Sequence, residues 1–127
     1  MIYGIGNDVM EIDRIEGVIK KKPRFLEKYF TEAERSYFDM RKGSLQTIAG
    51  YFCAKEAVSK ALGTGFGLFK MSDIEIVKDF RGKPDVILHG KALDFVKEHN
   101  IVSIFISISH SNNYAAAMAV AVLKEGM

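Results

Sequence analysis

The chain is predicted to be α+β, an antiparallel sheet packed on one long central helix, and three observations carry that prediction. Helical spacing fills most of the first half, while the longest apolar strand-like runs come last, so helices and strands are segregated and not alternating. Ala54, Ala57, Val58, Ala61 and Leu62 recur at the offsets of one helical face. Ala115, Ala117, Ala119 and Ala121 share one face of the last strand, small enough for that helix to lie close against it.

Taken in order, Ile2-Tyr3-Gly4-Ile5-Gly6-Asn7-Asp8 alternates as a strand, with Ile2, Gly4, Gly6 and Asp8 on one face. Two glycines weaken a strand, so they predict close approach of another element on the Asp8 side. From Met10 to Lys22 the spacing is helical, with Ile12, Ile15 and Ile19 inward and Arg14, Val18, Lys21 and Lys22 along another side, until Pro23 stops it. Thr31 and Glu34 stand as a capping-box pair opening a helix that runs to about Arg41. Gly43-Ser44 breaks that helix, and the central one begins near Leu45, with Gly63 and Gly65 reading as its C-cap and a following tight turn. Ser72 to Lys78 alternates Ile74 and Ile76 against Asp73, Glu75 and Val77 as a half-buried strand. Arg81-Gly82-Lys83-Pro84 is a turn, Asp85 to Leu88 a short strand, and Gly90 to His99 a helix with Ala92, Leu93, Phe95 and Val96 inward. Ile101 to His110 and Tyr114 to Leu123 are long strands joined by Ser111-Asn112-Asn113, a link tolerant of positive φ and therefore predicted to close a hairpin. His110 stands at its corner, in phase with Ile104, Ile106 and Ile108.

A length of 127 residues suits one domain spanning residues 1–127 with a single core. The net charge of only +2 argues against a dedicated nucleic-acid binder, in which a large basic excess supplies phosphate affinity. No segment approaches the roughly 18 continuous apolar residues of a membrane span, and Asp8 interrupts an N-terminus without the layout of a signal peptide. Cys53 has no partner for a bridge and lies in an apolar helix, as a buried small hydrophobe in a reducing, cytoplasmic setting would. Local charge is more informative: between Arg14 and Lys28 six basic residues face two acids. That basic face is either solvated or a docking surface for an acidic partner, charge steering the encounter and an apolar residue holding it.

Chemistry concentrates on the central helix, where Ala49, Phe52 and Gly63 fall beside Glu56 and Lys60 on the side opposite the core stripe. A helix packed on most of its circumference makes Lys55, Glu56 and Lys60 costly to desolvate unless they meet partners, a metal or phosphate. Alternatively Glu56 and Lys60 form a surface i,i+4 pair worth roughly 0.2–0.5 kcal/mol. Should Asp8 approach Glu56, two carboxylates converge, an arrangement tolerated mainly with a cation between them. The other reading of Asp8 is a cap on the following helix. His110 is either a hydrogen-bonded turn histidine or a substrate contact. Walker A loops, CxxC sets and tandem repeats are absent, and Gly65-Phe66-Gly67 is too short for a phosphate loop.

Gly4-Ile5-Gly6-Asn7-Asp8 with Arg14 six residues on, followed by Phe52-Cys53-Ala54-Lys55-Glu56-Ala57-Val58-Ser59-Lys60, resembles the paired signatures of the 4′-phosphopantetheinyl transferases. Chain length and the Gly63-Thr64-Gly65 extension resemble the short bacterial type, the holo-[acyl-carrier-protein] synthases, and the likeness continues through Gly82-Lys83-Pro84 to Ser107-Ile108-Ser109-His110-Ser111. The resemblance implies transfer of the phosphopantetheine arm of coenzyme A to a serine of apo acyl carrier protein, releasing adenosine 3′,5′-bisphosphate, in fatty acid biosynthesis. It implies Asp8 and Glu56 as Mg²⁺ ligands, with Lys60 completing the catalytic set. It further implies Ser59, Lys60, Gly63, Lys83, Pro84, His110 and Ser111 around coenzyme A, with Lys55 either assisting there or structural, and Arg14, Val18, Lys21, Arg24 and Phe25 against the carrier's acidic helix. Members of this type form trimers with sites shared across a subunit boundary. The position before the motif aromatic is often arginine in relatives and is Tyr51 here, which leaves Arg41 or Lys42 to replace it. Two other classes remain as alternatives: a catalytically silent coenzyme A-binding protein of this fold, and an interaction module recruiting an acidic partner. The complete set Asp8, Glu56 and Lys60 favours the transferase.

Overall fold

The computed structural model describes residues 1–127. In chain order the elements are β1 (Ile2–Glu11), α1 (Ile12–Lys21), α2 (Phe25–Tyr29), α3 (Glu32–Met40), α4 (Leu45–Leu62), a 3-10 turn (Met71–Asp73), β2 (Ile74–Lys78), β3 (Pro84–Leu88), α5 (Gly90–Glu98), β4 (Ile101–His110) and β5 (Tyr114–Leu123). Strands β1, β5 and β4 form an antiparallel sheet with β5 in the middle, and β2 and β3 pair as a separate antiparallel hairpin. Both long C-terminal strands keep the predicted bounds.

Helix α4 lies on one face of the three-stranded sheet, and small residues on both sides allow it. Ala115, Ala119 and Ala121 are completely buried beneath Ala54, Ala57 and Val58. On β1, a Cβ at Gly4 would fall 2.1 Å from the Ala61 carbonyl oxygen, and one at Gly6 2.1 Å from that of Ala57. Only glycine fits there, as its place on the Asp8 face of the strand predicted. Ser44 caps α4 by accepting from the Thr47 N–H, and Gly63 closes it in the left-handed region at φ 78°. Phe25, Phe30 and Phe38 continue the core on the side of α4 away from the sheet.

Several local expectations are corrected. Strand β1 runs to Glu11, because Val9, Met10 and Glu11 continue the ladder against Ala116, Ala115 and Tyr114, so α1 begins at Ile12 and not at Met10. Asp8 therefore lies within a strand and caps nothing. The five-residue α2 after Pro23 is too short for helical periodicity to show. The link between β4 and β5 closes without positive φ, which among non-glycine residues occurs only at Lys42 and Asn100. Instead the Ser111 N–H donates to the Tyr114 carbonyl, the Tyr114 N–H to Ser111 Oγ, and the Ile12 N–H to the Asn113 carbonyl. Glu75, on the face of β2 expected to meet solvent, is buried by Thr31 and His89, which both bond its carboxylate.

Candidate active site

The glycine contacts between β1 and α4 bring Asp8 beside the C-terminal half of α4. Lys60 Nζ donates to Asp8 Oδ1 at 3.2 Å and to the Asn7 carbonyl at 3.0 Å, so its partner is the strand and not Glu56 one turn earlier. Glu56 stands close enough to both to feel them. Burial first, then the Asp8 charge, pushes the Glu56 carboxyl above the usual carboxylate range, with Lys60 opposing. Two carboxylates and one ammonium thus converge from a strand and a helix. Beneath them Cys53 is completely buried, and burial together with Asp8 drives its thiol up to about 12, which removes it as a nucleophile.

The carboxylates offer hard oxygens to a divalent cation, and no third His, Cys, Asp or Glu side chain joins them. A cation held by two carboxylates completes its shell from water and from ligand oxygens, the manner in which Mg²⁺ binds phosphate substrates. The donor set fits such an ion.

Glu56 also lines a cleft of about 540 Å³ between α1, α2, α4 and the segment that follows α4. Its walls are apolar, from Val18, Phe25, Phe52, Phe66 and Met71, and Lys22, Lys28 and Lys70 add positive charge. Arg14, Lys21 and Arg24 are exposed on and just beyond α1, the helix whose Val18 lines this cleft. Val18 is half-buried at the cleft wall. Phe25 is a correction: at 6 % exposure it packs on Tyr29, Phe30 and Phe52, so it shapes the cleft from below and does not project toward a partner.

Two expected coenzyme A contacts are also corrected. Lys55 is fully buried, its ammonium donating to Glu34 Oε1 at 2.7 Å, the Ile74 carbonyl at 2.6 Å and the Met71 carbonyl at 3.2 Å. All three donors are spent inside the protein. Ser59 is 1 % exposed, and its hydroxyl donates within the helix to the Glu56 carbonyl. Gly63 remains exposed at the end of α4. Lys83 ends the turn between β2 and β3 and Pro84 begins β3, while His110 and Ser111 lie at the hairpin corner of β4 and β5. No hydrogen bond or ion pair joins these four to Asp8, Glu56 or Lys60. Ser111 is instead tied to Gln46, at the opposite end of α4 and roughly 20 Å along the helix from Lys60. Tyr51 is buried and stacks on Tyr37, while Lys78 lies 6.0 Å from its ring centre and near enough to Arg41 for that charge to lower its proton affinity, after burial.

Sequence reasoning found Glu34 only as a capping residue. Its carboxylate accepts from the Thr31 N–H, from Lys55 and from the Ile76 N–H, and it is 1 % exposed. Burial pushes Glu34 up and Lys55 down, each opposed by the other's charge. Taking both ions out of water costs several kcal/mol each before their mutual attraction is counted. Phe66, Phe69 and Met71 of the cleft wall were also missed, since they fall in a segment without regular periodicity.

Comparison with known proteins follows the same outline. Residues 4–119 match the family model described as the 4′-phosphopantetheinyl transferase superfamily. The chain belongs to that superfamily. A holo-[acyl-carrier-protein] synthase of Alkaliphilus metalliredigens is 51 % identical over 121 residues, covering 95 % of this chain and 99 % of that one. The crystal structure of the synthase of Neisseria meningitidis superposes with a TM-score of 0.90 at 32 % identity, over 96 % of this chain and 99 % of that one. The Helicobacter pylori enzyme, solved in complex with coenzyme A, gives a TM-score of 0.83 at 36 % identity, over 93 % and 99 % of the two chains.

Proposed function

We propose that this single domain transfers the 4′-phosphopantetheine arm of coenzyme A to a serine of apo acyl carrier protein, giving holo carrier protein and adenosine 3′,5′-bisphosphate for fatty acid synthesis in the cytoplasm. The observation that carries the reading is the convergence of Asp8, Glu56 and Lys60 at the edge of an apolar cleft. Relatives that bear the synthase name at about half identity over nearly the whole chain support it.

Asp8 and Glu56 would hold Mg²⁺, which when bound would supply positive charge to the pyrophosphate of coenzyme A. Lys60, half-exposed and already fixed by Asp8 and the Asn7 carbonyl, directs its ammonium to the same pyrophosphate and stabilises charge on the departing bisphosphate. The apolar cleft excludes water from the neighbourhood of Glu56, which strengthens each of these interactions. Arg14, Lys21 and Arg24 steer the acidic face of the carrier, and Val18 meets its apolar residues. Arg41 or Lys42 replaces the charge of the arginine often found at the Tyr51 position in this family, and Arg41 is near enough to Lys78 to act on its charge.

The protein works as a homotrimer in which each site is completed by a neighbour. Two features support this. Ser111, at the hairpin corner with His110, is tied to Gln46 at the end of α4 opposite Lys60, and the sheet face turned away from α4 is apolar and open, with Ile5 and Val9 each 64 % exposed.

The test is incubation with apo carrier protein, coenzyme A and Mg²⁺, followed by mass spectrometry of the carrier. A gain of one phosphopantetheine on the carrier serine is expected. An unmodified carrier that a known synthase can modify would overturn the reading.

A further inference from the structure

Lys55 immediately precedes Glu56, yet its ammonium reaches no surface. What it touches is informative: the carbonyls of Met71 and Ile74, at the end of the irregular segment that follows α4. That segment supplies Phe66, Phe69 and Met71 to the cleft wall facing Glu56. At its start it is fixed to α4, where the Gly63 N–H donates to the Lys60 carbonyl and the Thr64 and Gly65 N–H groups to that of Ser59. Between Gly65 and the 3-10 turn at Met71 no helix or strand holds it. The far end is held by Lys55, whose own position is fixed by Glu34, and Glu34 in turn grips Thr31 at the start of α3 and Ile76 in β2. The ring of Phe30 lies 5.0 Å from the ammonium and closes the remaining side.

We propose that the buried Lys55–Glu34 pair is a positioning device for the transfer reaction: it pins the segment Gly63–Met71 to α4 at its far end and so sets the width of the cleft opposite Glu56. Lys55 is a positioning residue and touches neither substrate. An apolar pair of similar volume would fill the same space without the desolvation cost, but it could not hold two backbone carbonyls. The three donors of an ammonium can grip a helix's neighbour chain at two carbonyls and a carboxylate at once. The inference rests on the transferase reading for its catalytic consequence, while its structural half stands independently.

The test is the double variant Lys55→Met with Glu34→Gln, which removes the pin without stranding a charge and leaves an oxygen for Thr31. Amide exchange in residues 66–74 is expected to quicken about tenfold or more while that of residues 57–62 is unchanged, as a local opening requires. Transfer kcat is expected to fall about tenfold or more, with the KM for carrier little altered, because a displaced wall misplaces the reacting ends. Exchange that rises equally throughout the chain, or kcat within about twofold of the parent, would overturn the proposal. Should the variant not fold, native-state exchange of the unaltered protein decides. The amides of Thr31, Asp73, Ile74 and Ile76 are then expected to open together as one unit separate from α4, and independent openings would refute the pin. The parent's own transfer assay runs alongside, so a parent without activity counts against the functional reading while the exchange results still judge the pin.

Discussion

Glu56 carries opposing demands that can be separated by experiment. Its carboxyl is held above the ordinary glutamate value of about 4.5 by burial and by Asp8, so the folded protein binds its proton more tightly than the unfolded chain does. The sign follows: in metal-free buffer this group favours the fold below about pH 4.5, and the advantage is lost as pH rises through the elevated folded value. Glu56→Gln is therefore expected to raise Tm at pH 7 without metal by on the order of 2 °C, a modest shift because partial exposure screens the repulsion. The gain should vanish at acid pH and shrink when Mg²⁺ is added to both proteins. Transfer by the same variant is expected to fall on the order of 100-fold or more, so calorimetry and the carrier assay move in opposite directions. A Tm below the parent's would show that Glu56 is a structural residue. On the basic face, reversing Arg14 and Arg24 to Glu should raise the carrier KM on the order of tenfold and leave that for coenzyme A nearly unchanged, because exposed charges act mainly on encounter. Equal effects on both substrates would count against carrier docking there.

At the scale of elements, the contact of β1 with α4 decides whether the carboxylates meet at all. A Cβ at Gly6 would lie 2.1 Å from the Ala57 carbonyl oxygen and 2.7 Å from the Ala61 nitrogen, both backbone atoms that cannot swing aside. Gly6→Ala must push the strand off the helix, at a cost of roughly 1–3 kcal/mol or more, and Asp8 two residues on moves with it. Chemical denaturation should register that loss, and transfer should fall further than stability alone explains. Wild-type stability in this variant would mean that strand and helix are not in contact. This contact was legible in the sequence, because glycines alternating along a strand and alanines alternating along another are periodic signals. The stripe on α4 and both long strands were legible for the same reason. Glu34 with Lys55 was not, since the two lie 21 residues apart and no local pattern links a capping carboxylate to a lysine on the next helix. Lys55 and Ser59 were assigned to coenzyme A by motif position, yet a motif records which residues occur together and not which way each side chain turns. Phe25 misled similarly: beside Arg24 it reads as exposed, but the short α2 turns it into the core.

For the whole molecule, the open side of the sheet is the feature a monomer does not account for. Ile5, Val120 and Phe105 lie in register across β1, β5 and β4, and Met118 stands beside them at 50 % exposure with Phe105 at 58 %. An apolar row spanning three strands marks an association surface, and association is also what would bring a neighbour's His110 and Ser111 to Lys60. If the proposed trimer assembles through this face, Phe105→Glu is expected to sediment as a monomer while the circular dichroism of the fold persists, and to abolish transfer. Mixing supplies the sharper test. On the proposed shared site, Asp8→Ala damages one half of every site and His110→Ala the other, so each variant alone should transfer poorly. Co-refolded in equal amounts, they produce assemblies in which about a quarter of the sites pair an intact Asp8 with an intact His110 from a neighbour, given random assortment around a closed ring. Activity is then expected to recover to about a quarter of the wild-type value. If each site lay wholly within one chain, no mixture of the two variants would exceed the average of its parts.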